Sequence, residues 1–160
     1  MNLSILLVLS NGFHMLATVL LIGFYTLLYL VWLPAVKKQL APTQENVLIG
    51  ELFTRFRLWQ YLSFLIFAVS GIVLTLVDRY YLGFGQFVNN WSIVMLVKHV
   101  LIVFLIGLCI YTGILSANIR AKLQAETTAA PLKKKLKTTA GVLTSLGVLI
   151  LFLTALAQAY

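Results

Sequence analysis

Three ionisable side chains lie where an apolar chain rarely carries them. His14, Lys98 and His99 each fall within a long hydrophobic run, and the sequence contains no other histidine. An imidazole or amine surrounded by hydrocarbon costs free energy, so such groups in membrane helices usually face the interior of a bundle and take part in function. Imidazole nitrogen is also a ligand for iron and copper. These three residues are therefore the first candidates for chemistry.

Four hydrophobic runs are the elements that must position these residues. Of the 160 residues, 61% are hydrophobic and 10% are charged, which is more apolar surface than a soluble domain of this length can bury. A helix crosses the hydrocarbon core with about 20 apolar residues. The runs predict an all-α integral membrane four-helix bundle, a single domain over residues 1–160 with spans at about 3–33, 58–77, 91–116 and 139–159.

Basic residues predict the orientation of this bundle. The connection between the second and third runs carries one basic residue, Arg79, whereas the other two connections carry ten. Those ten are Lys37, Lys38, Arg55, Arg57, Arg120, Lys122, Lys133, Lys134, Lys135 and Lys137. By the positive-inside rule the two basic connections face the cytoplasm and both termini lie outside. We therefore expect a multi-pass protein of the plasma membrane (the inner membrane of a bacterium), whose net charge of +8 reflects topology and not nucleic-acid binding.

His14 and His99 are predicted to lie at matching depths on two parallel helices. At about 1.5 Å per residue, both are roughly 12–16 Å below the outer surface. Two neutral imidazoles can hold the iron of a haem b from opposite sides, while Arg79 and Lys98 would pair with its propionates. Because two axial ligands leave no open iron position, the pattern indicates a membrane-embedded haem protein that acts as an electron carrier or redox subunit.

Two other interpretations stay open. In one, His14, Met15, Met95 and His99 supply imidazole and thioether ligands to copper, since Met95 and His99 are one helical turn apart. In the other, the chain is a structural subunit of a larger membrane complex, each histidine hydrogen-bonds a neighbouring helix, and Lys98 extends towards the outer surface. No phosphate loop, Cys-x-x-Cys or His-Glu-x-x-His pattern occurs, so no catalytic residue is assigned. The expected partners are the lipid bilayer, a quinone or a redox protein, and a second copy or other subunits.

Several segments resemble CopD-like membrane proteins. They are Phe13-His14-Met15-Leu16-Ala17, Ile22-Gly23, Leu33-Pro34-Ala35, Phe56-Arg57-Leu58-Trp59, Ser70-Gly71-Ile72-Val73-Leu74, Met95-Leu96-Val97-Lys98 and Asn118-Ile119-Arg120. The four-helix arrangement is also similar to that of HemJ-type protoporphyrinogen oxidases, which bind haem b. The first resemblance implies copper uptake or tolerance, and the second implies that His14 and Lys98 are the ligands. His99 beside Lys98 adds a second imidazole, which favours bis-histidine ligation and electron transfer over oxidase activity.

Overall fold

The computed structural model describes residues 3–83, 86, 88–125 and 128–159, and within these ranges all regular structure is helical. Four helices are long and apolar enough to cross a membrane, and they cover Leu3–Gln39, Pro42–Val77, Asn90–Lys122 and Ala130–Gln158. The prediction of an all-α fold with four such helices is confirmed, and the chain has the architecture of a multi-pass membrane protein.

The first of these helices consists of three consecutive pieces. They are α1 (Leu3–Leu27), a π-helical turn (Leu28–Trp32) and α2 (Leu33–Gln39). The other helices are α3 (Pro42–Val77), α4 (Asn90–Gln124) and α5 (Ala130–Gln158).

The helices form a closed ring. Helix α1 packs on α3, α3 on α4, α4 on α5, and α5 on α1. Because the connections between successive helices are short, successive helices run antiparallel. Helices α1 and α4, which carry His14 and the Lys98–His99 pair, stand diagonally across the bundle. A group held between them would therefore occupy the interior.

The helices extend well beyond the predicted spans at the basic end of the bundle. Helix α3 begins at Pro42 instead of near residue 58, and α5 begins at Ala130 instead of near residue 139. The length of a hydrophobic run reflects the thickness of the hydrocarbon core, whereas a helix continues for as long as its residues favour the helical conformation. The added segments are rich in Leu, Glu, Gln and Lys, which are good helix formers.

The first helix does not end at Pro34, which directly follows the predicted span 3–33. A proline within a regular α-helix lacks one hydrogen-bond donor, and its ring clashes with the carbonyl four residues earlier. Here the preceding turn widens into a π-helix, in which the backbone N–H of Leu33 donates to the carbonyl of Leu28, five residues earlier. The helix therefore passes through Pro34 and continues to Gln39.

The tightly packed core occupies the middle and the basic end of the bundle. From the basic end it reaches Leu21 on α1, Phe53 on α3 and Leu105 on α4, and it extends further on α5, to Ile150. The candidate site residues of α1 and α4 lie beyond these limits on their own helices.

Two glycines of α5 allow α1 to approach closely. A Cβ atom added at Gly147 would lie 2.9 Å from Cγ2 of Ile22, and one added at Gly141 would lie 3.0 Å from Cε2 of Tyr29. Small residues at helix contacts are a common means of packing in membranes, because they bring backbones together. By contrast, nothing lies within 4 Å of the corresponding position at Gly107 on α4.

We predict that Gly147→Ala destabilises the bundle by about 1–3 kcal/mol, because the added methyl group must displace a branched carbon of Ile22. The free energy of unfolding in bicelles measures this effect. The matched control is Gly107→Ala, which adds the same methyl group where space is open. Equal losses from both variants would show that the α1–α5 contact is not the cause.

Candidate functional site

His14 is half-buried on the interior face of α1, in line with Ser10, Ala17 and Leu21. Its Nδ1 lies 2.9 Å from Oγ of Ser70 on α3. The Ser70 hydroxyl donates its single proton to the carbonyl of Ile66 at 2.5 Å. The hydrogen bonding therefore makes Nδ1 of His14 the donor to Ser70. In the neutral ring this leaves Nε2 with a free lone pair.

Helix α3 also fixes the position of the His14 ring. Phe67 meets the ring edge-on, with 4.9 Å between the ring centroids and an angle of 87° between the planes. On the next turn, a Cβ atom added at Gly71 would lie 3.7 Å from Cε1 of His14, an ordinary van der Waals distance. One hydroxyl and one aromatic edge thus orient the imidazole.

Lys98 occupies the interior face of α4. It belongs to a stripe of every seventh residue whose other members, Trp91, Leu105, Thr112 and Ile119, are buried. Lys98 itself is half-buried and interacts electrostatically with Asp78 at the end of α3. Of the two neighbours Lys98 and His99, the lysine is therefore the one on the interior face of α4.

His99 lies on the flank of α4 and is exposed. Its Nδ1 is 2.6 Å from the carbonyl oxygen of Met95. A carbonyl can only accept, so Nδ1 is again the donor and Nε2 again carries the lone pair in the neutral ring. Both Lys98 and His99 are near enough to His14 to interact with it electrostatically. The structure thus brings the three residues into one region.

Arg79 lies one residue beyond Asp78, at the end of α3 that is nearest Lys98. It is exposed, and its guanidinium carbon is 4.7 Å from the ring centroid of Tyr80. The predicted propionate partner is therefore at the same end of the bundle as the candidate ligands, held over an aromatic ring.

The residues of the copper interpretation differ in their exposure. Met15 is exposed and Met95 is half-buried. Within residues 3–83, 86, 88–125 and 128–159, no three His, Cys, Asp or Glu side chains surround a common point. A haem between two axial ligands needs no such group, whereas a copper ion here would depend on the methionine sulfurs.

A buried hydrogen-bond network in the centre of the bundle was missed by the sequence reasoning. Tyr25, 2% exposed, has its hydroxyl oxygen 2.9 Å from Oγ1 of Thr112 and 3.4 Å from Oε1 of Gln60. Thr112 donates to the carbonyl of Cys109 at 2.7 Å, so the single proton of the Tyr25 hydroxyl goes to Oγ1 of Thr112, the nearer of its two acceptors. The hydrogen bonds link α1 to α4, and the amide oxygen of Gln60 on α3 lies beside them. Their signal in the sequence is the presence of polar, uncharged residues inside apolar runs.

We predict that Tyr25→Phe lowers the free energy of unfolding in bicelles by about 1–2 kcal/mol, since it removes an interhelical donor and leaves a buried hydroxyl oxygen without it. Tyr61→Phe, at an exposed position on α3, is the control and should change stability little. A double-mutant cycle with Thr112→Val should show coupling between the two sites. Additive effects would contradict a direct bond.

Comparisons with known proteins complete the description of the site. No family model, no curated protein and no solved structure matches this chain. The resemblance to CopD-like and HemJ-type proteins therefore rests on its quoted residues and stays a prediction.

Proposed function

We propose that this protein binds one haem b inside the bundle and acts as a membrane electron carrier or redox subunit. His14 is one axial ligand, and the other comes from the Lys98–His99 pair on α4. The observation that carries the proposal is the hydrogen-bond relay from His14 through Ser70 to Ile66. It holds a half-buried imidazole in the tautomer whose Nε2 can bind iron.

The relay matches what metal-binding histidines generally need. Such a residue usually donates its second ring nitrogen to a fixed acceptor, which sets the tautomer, orients the ring and raises its basicity. Ser70 supplies that acceptor on a neighbouring helix.

The second ligand has two candidates with different support. Lys98 lies on the interior stripe of α4, directly across the bundle from α1, and so supports a His14–Lys98 pair. His99 presents a free Nε2 in the same tautomer as His14, and so supports the bis-histidine pair. The bis-histidine arrangement requires the exposed His99 ring to turn inwards, whereas the lysine pair requires no such change.

Electron transfer is the reaction that this environment suits. A bound haem would supply one-electron chemistry, and two protein ligands would leave it no open position for a substrate. Asp78, Lys98 and Arg79 place charge near one end of the site. A quinol or a redox protein is the proposed electron donor.

The orientation completes the proposal. We place both termini outside the cytoplasm and the chain in the plasma membrane, as the positive-inside rule indicates. Arg55 and Arg57 of α3 lie at the same end of the bundle as the lysines that open α5, and this supports the placement, because the rule counts Lys and Arg and gives Asp and Glu little weight. His14 and the Lys98–His99 pair then lie in the outer half of the membrane.

We expect purified protein to show the reduced-minus-oxidised α-band of haem b and a positive pyridine haemochrome test. His14→Ala should abolish both. Lys98→Ala and His99→Ala, prepared separately, identify the second ligand, because haem is lost with one and retained with the other. Met15→Leu is the control and should leave the spectrum unchanged. Colourless protein that contains copper would contradict the haem and favour the copper interpretation, and colourless metal-free protein would favour a structural subunit.

We further expect Ser70→Ala to weaken haem binding by about tenfold to a hundredfold, because the partner that orients His14 is lost. Titration of haem into the apoprotein measures this, and the reduction potential of the bound haem should shift as well. The matched control is Ser63→Ala, since Ser63 is buried on the same face of α3 and its Oγ has no hydrogen-bond partner within the described ranges. Equal losses from both variants would contradict a specific role for Ser70.

A further inference from the structure

A groove lies between α4 and the first turns of α5, at the basic end of the bundle. It has a volume of about 480 Å³ and is lined by Tyr111, Pro131, Lys134, Lys135, Thr138 and Thr139. Two amines and a threonine hydroxyl stand at exposed positions along it, and an aromatic ring forms part of its wall. The groove therefore joins a polar, cationic part to an apolar part.

Among the described residues, no carboxylate lies at ion-pair distance from the two lysines of the groove. Within the described part of the chain, the one salt bridge of the cluster joins Lys133 to Glu45 on α3, and it leaves Lys134 and Lys135 without a carboxylate at ion-pair distance. Lys134 and Lys135 are adjacent residues in the second turn of α5, and their like charges repel. An anion bound at the groove would offset this repulsion.

The surface beside the groove identifies the kind of anion. Phe104 on α4 and Val142 on α5 are exposed apolar residues within helices that are able to span the membrane. Phe104 lies two helical turns from Tyr111 and Val142 one turn from Thr138, both on the side away from the basic end of the bundle. A ligand seated in the groove thus has lysines at one end and a lipid-facing apolar surface at the other. Free phosphate would contact the lysines alone, whereas a phospholipid contacts both the lysines and the apolar surface.

We propose that this groove binds one anionic phospholipid of the surrounding bilayer. Its phosphate lies at Lys134 and Lys135, and an acyl chain follows Tyr111 and the apolar surface between α4 and α5. Basic pockets between membrane helices are suited to such headgroups, and each lysine near the headgroup strengthens binding by about fivefold. This site is at the opposite end of the bundle from His14, and it does not depend on the proposed haem.

The test uses detergent-purified full-length protein and native mass spectrometry. Phosphatidylglycerol and phosphatidylcholine with identical acyl chains are titrated separately. We expect one molecule of phosphatidylglycerol to bind at least tenfold more tightly than phosphatidylcholine. The double variant Lys134→Gln/Lys135→Gln should weaken phosphatidylglycerol binding by about thirtyfold. The charge-conserving Lys134→Arg/Lys135→Arg should retain most of it.

The control is Arg55→Gln/Arg57→Gln, which removes two exposed cations of α3 that do not line the groove. It should leave phosphatidylglycerol binding unchanged. Equal losses from the two glutamine variants would overturn the proposal in favour of general attraction to net charge. Equal binding of the two lipids would also overturn it. Displacement of phosphatidylglycerol by inorganic phosphate, at constant ionic strength, would show a phosphate site instead of a lipid site.

Discussion

Hydrocarbon offers no hydrogen-bond partner, so each polar side chain inside this bundle must find one within the protein. The bond between Tyr25 and Thr112 shows the consequence most clearly. It joins α1 to α4 across the diagonal of the ring, where the two helices make little other contact. The same constraint operates at His14, whose ring nitrogen is satisfied by Ser70. One rule thus governs both the assembly of the helices and the orientation of the candidate ligand.

The two halves of the bundle are built differently. The basic half holds the large buried residues, among them Ile49, Leu136 and Leu143, and the glycine contact of α1 with α5 continues this packing towards the centre. The half with His14 has smaller and more polar buried residues on α1 and α3, such as Ser10, Ala17 and Ser70, and the buried Trp91 at the start of α4. Small buried side chains therefore surround His14 on the helices that position it. This arrangement is consistent with a bound group between α1 and α4.

The sequence predicts some features of this molecule well because they depend on composition alone. Four apolar runs were enough for an all-α fold with four membrane-spanning helices. The interior position of His14 also followed, because an imidazole within an apolar run is expected to face the interior of a bundle. The start of α3 at Pro42 could not be predicted from hydropathy, because hydropathy identifies the segment within the hydrocarbon core and not the full length of the helix. The sequence also could not show that Lys98 faces the interior while His99 is exposed. Neighbouring positions on a helix differ by about 100°, and tertiary packing decides which of the two faces inwards.

The π-helical turn has a consequence for the whole first helix. In a regular helix the interior stripe through Leu21 and Leu28 would reappear three or four residues later, at Val31 or Trp32. Instead the next buried residue is Leu33, five positions on, while Val31 is exposed. The π-helical turn contains one more residue than an α-helical turn. The side chains that follow it therefore point in directions shifted by one residue relative to the pattern upstream. The segment that carries Lys37 and Lys38 thereby keeps both amines on its outer surface, although the chain upstream follows a different register.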